Sequence, residues 1–162
     1  MHRLFAVFAA TAFVFMSAAT PALAENKLTI LAKLVHGDTE IDIATYGDAS
    51  NPDMQLRVGL VGIRQGTRRN SAAFDAHDWP QFLALWRSAE RMNSGTWTLI
   101  GQFVETGTSD VSTLRISSGP GYRFVIESPA KGAFNAEAPR SDAAAIDAAD
   151  AEVSSFLGVP QS

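Results

Sequence analysis

The stretch TWTLIGQFVETGTS (Thr96–Ser109) decides how this chain is read, because KLTILAKLVHGDTE (Lys27–Glu40) runs the same way. Both have a threonine, the same apolar beat and a run-out into a small polar turn. Thr29, Ile30, Ala32, Leu34 and Val35 fall opposite Thr98, Leu99, Gly101, Phe103 and Val104. Further on, Leu56, Val58 and Leu60 fall opposite Tyr122, Phe124 and Ile126, and Gly66 opposite Gly132. AFDA (Ala73–Ala76) then matches AFNA (Ala133–Ala136), and a helical stripe at 79, 82, 86 and 89 repeats at 146, 149, 153 and 156. Literal identities are few, and amphipathic elements match one another cheaply. The shared order of elements favours an internal duplication.

Each unit then reads β-β-β-(short β)-α, the first over about residues 25–93 and the second over about 94–158, with 159–162 as a flexible tail. A unit of that size buries too little surface to stand alone, so the two are expected to share one core as a pseudo-dimer. The expected fold class is α+β: a predominantly antiparallel β-sheet protein with two amphipathic helices.

The strands are predicted from short runs rich in Val, Ile, Leu, Thr and aromatics between Gly, Asp, Asn and Pro clusters. They cover residues 28–35, 40–46, 55–63, 96–105, 111–117 and 122–127. Alternation, as in Tyr122, Phe124 and Ile126 against Arg123 and Glu127, argues for sheets with one wet face. SSGPGY (Ser117–Tyr122) supplies the clearest hairpin turn.

Two segments switch to the helical period. DWPQFLALWRSAERM (Asp78–Met92) puts Trp79, Phe82, Leu83, Trp86 and Ala89 on one stripe, with Asp78 and Gln81 in capping-box positions. SDAAAIDAADAEVSSFL (Ser141–Leu157) carries a thinner stripe of Ile146, Ala149, Val153 and Phe156 behind a Ser141 cap.

The first 24 residues show a basic start (Met1-His2-Arg3), an apolar run to about Met16 and small residues ending in Ala24. That is the pattern of a cleavable signal peptide, with an apolar run too short to span a bilayer. The chain contains no Cys, which excludes disulfides, a Cys nucleophile and a lipidated N-terminal cysteine. The expected location is the bacterial periplasm or the medium, and a mature chain of about 140 residues is enough for one cooperative core. The net charge of −4, more negative still once Arg3 is removed, opposes a nucleic-acid-binding surface.

No catalytic motif appears: no G-x-S-x-G, H-E-x-x-H, P-loop or G-x-G-x-x-G. No cofactor is called for. In HGDTEID, His36, Asp38, Glu40 and Asp42 alternate, so on a continuous strand they would share a face and could hold a divalent cation. Gly37-Asp38 also reads as a hairpin turn, which would break that face. In GIRQGTRRN (Gly62–Asn70), Arg64, Arg68 and Arg69 read as a flexible loop able to clamp phosphate or carboxylate, for which the second unit offers only SPAKGA (Ser128–Ala133). His77, between Asp75 and Asp78 at the start of the first helix, is a candidate ligand or base.

Three functions are open on this reading. The first is an exported, non-enzymatic binding or accessory module of the cell envelope, monomeric or homodimeric, whose partner is an envelope protein or a small ligand. The second is a carboxylate-dependent periplasmic hydrolase, with Ca²⁺ assistance at Asp38, Glu40 and Asp42 as one version of it. The third is a nucleic-acid binder: a β-β-β-β-α unit used twice is similar, in topology only, to the Whirly-type single-stranded DNA-binding fold. No motif of that family is matched, and the charge and the export signal argue against nucleic acid.

Overall fold

The computed structural model describes residues 26–50, 57–105 and 111–160. The signal-peptide segment, half of the predicted tail (161–162) and the predicted strand start at Gln55 and Leu56 lie outside these residues. The elements are β1 (Lys27–His36), β2 (Thr39–Gly47), β3 (Val58–Gln65), β4 (Arg68–Phe74), α1 (Trp79–Arg91), β5 (Thr98–Val104), β6 (Thr113–Ser118), β7 (Gly121–Ser128), β8 (Gly132–Pro139) and α2 (Ala143–Leu157). A short 3₁₀ turn, Arg140–Asp142, leads into α2.

The strands form two four-stranded antiparallel sheets, ordered β1-β2-β3-β4 and β5-β6-β7-β8. The chain is thus a repeated β-β-β-β-α arrangement, consistent with an internal duplication. One irregularity supports it strongly. The β1–β2 pairing shifts register between Ile30 and Ala32, and the β5–β6 pairing shifts between Leu99 and Gly101. A bulge is a specific local feature that bends the strand, and here both units carry it at the position matched by sequence.

Elsewhere the sequence match was out of register. Ile41 pairs with Ile63 and Leu114 with Ile126, so Gly59, Val61 and Ile63 correspond to Tyr122, Phe124 and Ile126. Val58 and Leu60 lie on the opposite, outer face. AFDA and AFNA do not correspond either: Asn70 opposes Ile63 while Phe134 opposes Ile126, which aligns Ala73 with Glu137. A strand has a side-chain period of two, so the first slip, of three residues, puts the matched side chains on opposite faces, whereas the second, of four, keeps them on the same face.

The fourth strands are full strands, and Arg68 and Arg69 belong to β4 rather than to a loop. The tight turn at Gly66-Thr67 is possible because Gly66 sits at φ +59°. Neither helix has the predicted side-chain cap. Asp78 accepts from the Gln81 side chain (2.9 Å), while Asp75 Oδ1 receives the backbone N–H groups of His77 and Asp78 (both 2.8 Å). At α2 the cap position is Asp142, because the 3₁₀ turn takes up Ser141.

The helices are exchanged between units. α1 packs chiefly on β5 and β6, the sheet of unit two, and α2 on β1 and β2, the sheet of unit one. Trp79, Phe82, Trp86 and Ala89 of α1 are fully buried, as are Ile146 and Val153 of α2. The aromatic seam between units runs through Phe74, whose ring lies 4.4 Å from Phe103 and edge-on to Trp79 at 5.5 Å. Trp86 meets Tyr122 at 4.6 Å. Each such buried ring is worth roughly 1.5–3 kcal/mol relative to exposure, so neither unit's core is complete without the other's helix. No helix among the described residues is long and apolar enough to cross a membrane.

Candidate functional site

The outer face of sheet one, away from the helices, holds most of the polar residues singled out by sequence. The strand register places Lys33, Glu40, Arg64 and Arg69 beside Asp42, Gly62 and Ser71 on this face. Glu40 is buried beneath Lys33 (3.0 Å) and Arg64, and Asp42 beneath Arg69 (2.6 Å). Arg64, hydrogen-bonded to the Glu40 carboxylate, and then Lys33 hold it below its ordinary range, against the opposing effect of burial. Gly62 makes room for the second pair: a Cβ there would stand 2.5 Å from Asp42 Oδ1.

His36, Asp38, Glu40 and Asp42 therefore do not converge. Asp38 sits in the β1–β2 turn, where Gly37 takes φ +66°, and His36 Nε2 lies 2.7 Å from Asp142 Oδ2 at the entry to α2. Glu40 and Asp42 face cations. Among the described residues no group of three or more His, Asp or Glu is placed to hold a metal ion. The row is a ladder of cross-strand ion pairs within the sheet, in which the buried Arg69 Nε alone among the described residues' buried side-chain N and O atoms lacks a partner.

The arginines also work inside the molecule. Arg64 and Arg69 belong to that ladder, and Arg68 reaches across to unit two, over the Phe134 ring (5.0 Å to the centroid) and to the Lys131 carbonyl (3.1 Å). Beside it, buried Asn70 donates toward the Gly132 carbonyl (3.3 Å) and Gln65 to that of Asn135 (2.8 Å). The hairpin is a joint between units. His77 is exposed at the start of α1, outside this ladder.

No protein family matches this chain, and no curated protein does either.

What distinguishes the two units is the far end of their outer faces. In unit one, Leu28 opposes Tyr46 and Ile30 opposes Ala44, next to Val58 and Leu60. Leu28, Ile30 and Tyr46 are 42%, 48% and 43% exposed, so this corner is an open apolar surface. In unit two the register puts Trp97, Arg123 and Glu137 where unit one has Leu28, Leu60 and Ala73. There Trp97 packs on Gly119, where a Cβ would approach the ring within 2.9 Å. The Arg123 guanidinium covers the ring at 4.1 Å from its centroid and is anchored by Glu137 at 2.7 Å. Unit two's corner is thus covered in part by Arg123 and Glu137, while unit one's carries no such cover. Leu99, the counterpart of Ile30, stays exposed beside it.

Sequence reasoning missed this corner because it assigned the wrong face to Val58 and Leu60. It also missed a polar cluster between the helices. Trp86 Nε1 donates to Asp147 (2.8 Å) and Trp79 Nε1 to buried Asp150 (3.0 Å), while Arg87 bridges both carboxylates. The signal was present in the acidic residues on α2's otherwise small-residue stripe.

Proposed function

We propose that this protein is an exported, non-catalytic binding module of the bacterial cell envelope. Its partner is an extended polypeptide segment laid along the outer edge of β1. The observation that carries this reading is the divergence of the two corners: duplicated units differ most where one of them keeps an apolar surface open. Contiguous exposed apolar patches on soluble proteins mark interaction sites more often than isolated residues do. β1 is an edge strand paired only with β2, and such an edge offers unpaired backbone groups to an added strand.

The test is capture from envelope extract by the purified protein, compared between Ile30→Asp in β1 and Leu99→Asp in β5. The expected result is a partner captured by the wild type and by Leu99→Asp and lost in Ile30→Asp, all three melting at similar temperatures. Equal capture by both variants would overturn the assignment to the β1 corner.

A further inference from the structure

The inner face of sheet one ends in a second feature, independent of the outer corner. A cleft of about 390 Å³ opens between β1, β2 and the C-terminal half of α2, with Lys27, Thr29, Leu31, Thr45, Glu152 and Phe156 in its walls. Its volume falls within the range of small-ligand sites, about 300–1,000 Å³.

Three observations make it more than a surface depression. Thr45 is only 5% exposed, and its hydroxyl, which has no protein hydrogen-bond partner among the described residues, is left to the solvent of the cleft. A hydroxyl so placed can donate to a ligand and accept from one. Second, Lys27 and Glu152 stand on opposite walls, on β1 and on α2, and neither is ion-paired among the described residues, while the third charge of the walls, Asp48, accepts from the Ser50 backbone and hydroxyl (2.8 and 2.7 Å). Third, the equivalent place in unit two is filled. Ser118, the counterpart of Thr45 by register, lies 2.8 Å from the carbonyls of both Ala89 and Met92 and accepts from Arg140 at 2.9 Å. Leu85 of α1 fills the neighbouring space over Gly101. In unit one the position of Leu85 is taken by Glu152, and Arg57 grips the helix end instead, through the Phe156 carbonyl at 3.2 Å. The helix end is held in both units, but only in unit one is the space beneath it left open.

We propose that this cleft binds a small zwitterion with an apolar body, of the class of an aliphatic or aromatic amino acid or a very short peptide. The ligand carboxylate pairs with Lys27 and its ammonium with Glu152. The apolar body lies on Leu31 and Phe156, and the Thr45 hydroxyl supplies a hydrogen bond. Opposite free charges on facing walls select a molecule that carries both signs, because either charge alone would leave the other wall unmatched.

The test is thermal denaturation and calorimetric titration of the purified protein with L-leucine and L-phenylalanine at millimolar concentration. The parallel probes are 4-methylpentanoate, which lacks the ammonium, and isopentylamine, which lacks the carboxylate. The expected result is a saturable rise in Tm with the amino acids and at least tenfold weaker binding of both one-charge analogues. Thr45→Val, which keeps the shape and removes the hydroxyl, should weaken amino-acid binding at least fivefold while leaving the ligand-free Tm unchanged or raised. Lys27→Met, at an exposed position that does not contribute to the core, should act on binding alone. The proposal is overturned if neither amino acid shifts the Tm, if the one-charge analogues bind equally well, or if Thr45→Val binds like the wild type.

Discussion

Removing the Asp150 carboxylate tests whether the two units are locked together by polar contacts between their exchanged helices. Asp150 is buried on α2 and accepts from Trp79 Nε1 on α1 (3.0 Å), from Ser154 Oγ (3.1 Å) and from Arg87 (3.3 Å). In Asp150→Ala, Ser154 can turn to a carbonyl of its own helix and Arg87 keeps Asp147 and Glu90. The fully buried Trp79 indole has no such alternative. An orphaned buried donor costs about 1–3 kcal/mol, and the lost side-chain volume adds a little, for a total of about 2–4 kcal/mol. For a domain of this size that is a fall in Tm of roughly 6–15 °C. Calorimetry measures it directly, and urea unfolding followed by tryptophan emission gives the free energy. The decisive comparison is a cycle with Trp79→Phe, which removes the donor. In that background Asp150→Ala should cost about 1 kcal/mol less or better. Equal costs in both backgrounds would refute the indole–carboxylate bond as the lock.

Three further outcomes follow from the packing and the ion pairs. Gly59→Ala should destabilise by about 1–3 kcal/mol in chemical denaturation, because its Cβ would stand 2.6 Å from Val153 and 3.0 Å from the buried Trp79 ring. Glu40 has a folded-state pKa below its unfolded value of 4.5, so it stabilises the fold above that pH and loses this contribution as the pH falls through the folded value. The stability gap between wild type and Glu40→Gln, followed by Tm against pH, should accordingly be full at pH 6 and shrink below about 4.5. Arg68→Ala should cost only about 0.5–2 kcal/mol, since it removes one cation–π contact and one exposed hydrogen bond, and a loss of folding would contradict that account.

Much of the architecture was legible because it rests on periodicity. The stripe Trp79, Phe82, Trp86 and Ala89 is the buried face of α1, and the pairing of Thr29–Val35 with Thr98–Val104 extends even to the bulge. Register was less legible. Leu56, Val58 and Leu60 alternate as well as Gly59, Val61 and Ile63 do, and a glycine in the inner row made the outer row look like the core. Only the packing of Trp79 and Val153 onto Gly59 explains why the small residue faces inward. The arginines read as a clamp for a ligand because their carboxylate partners come from another strand, and Arg68's partners from the other unit. The open corner and the inner cleft left no motif. Both are differences between the units, visible only once equivalent positions are aligned in space.

The exchange of helices has a consequence for the history of the chain. A lone ancestral unit would have had a sheet but no helix of its own to cover it, and would have existed only as a homodimer of mutually borrowed helices. In such a dimer every substitution appears twice, so a surface cannot be sealed on one side and left open on the other. In one chain, with the units joined through the short segment between α1 and β5, that obligation is absent. Unit two covers part of its outer corner with Trp97, Arg123 and Glu137 and fills its inner space with Arg140, while unit one leaves both open and leans on its twin for scaffolding.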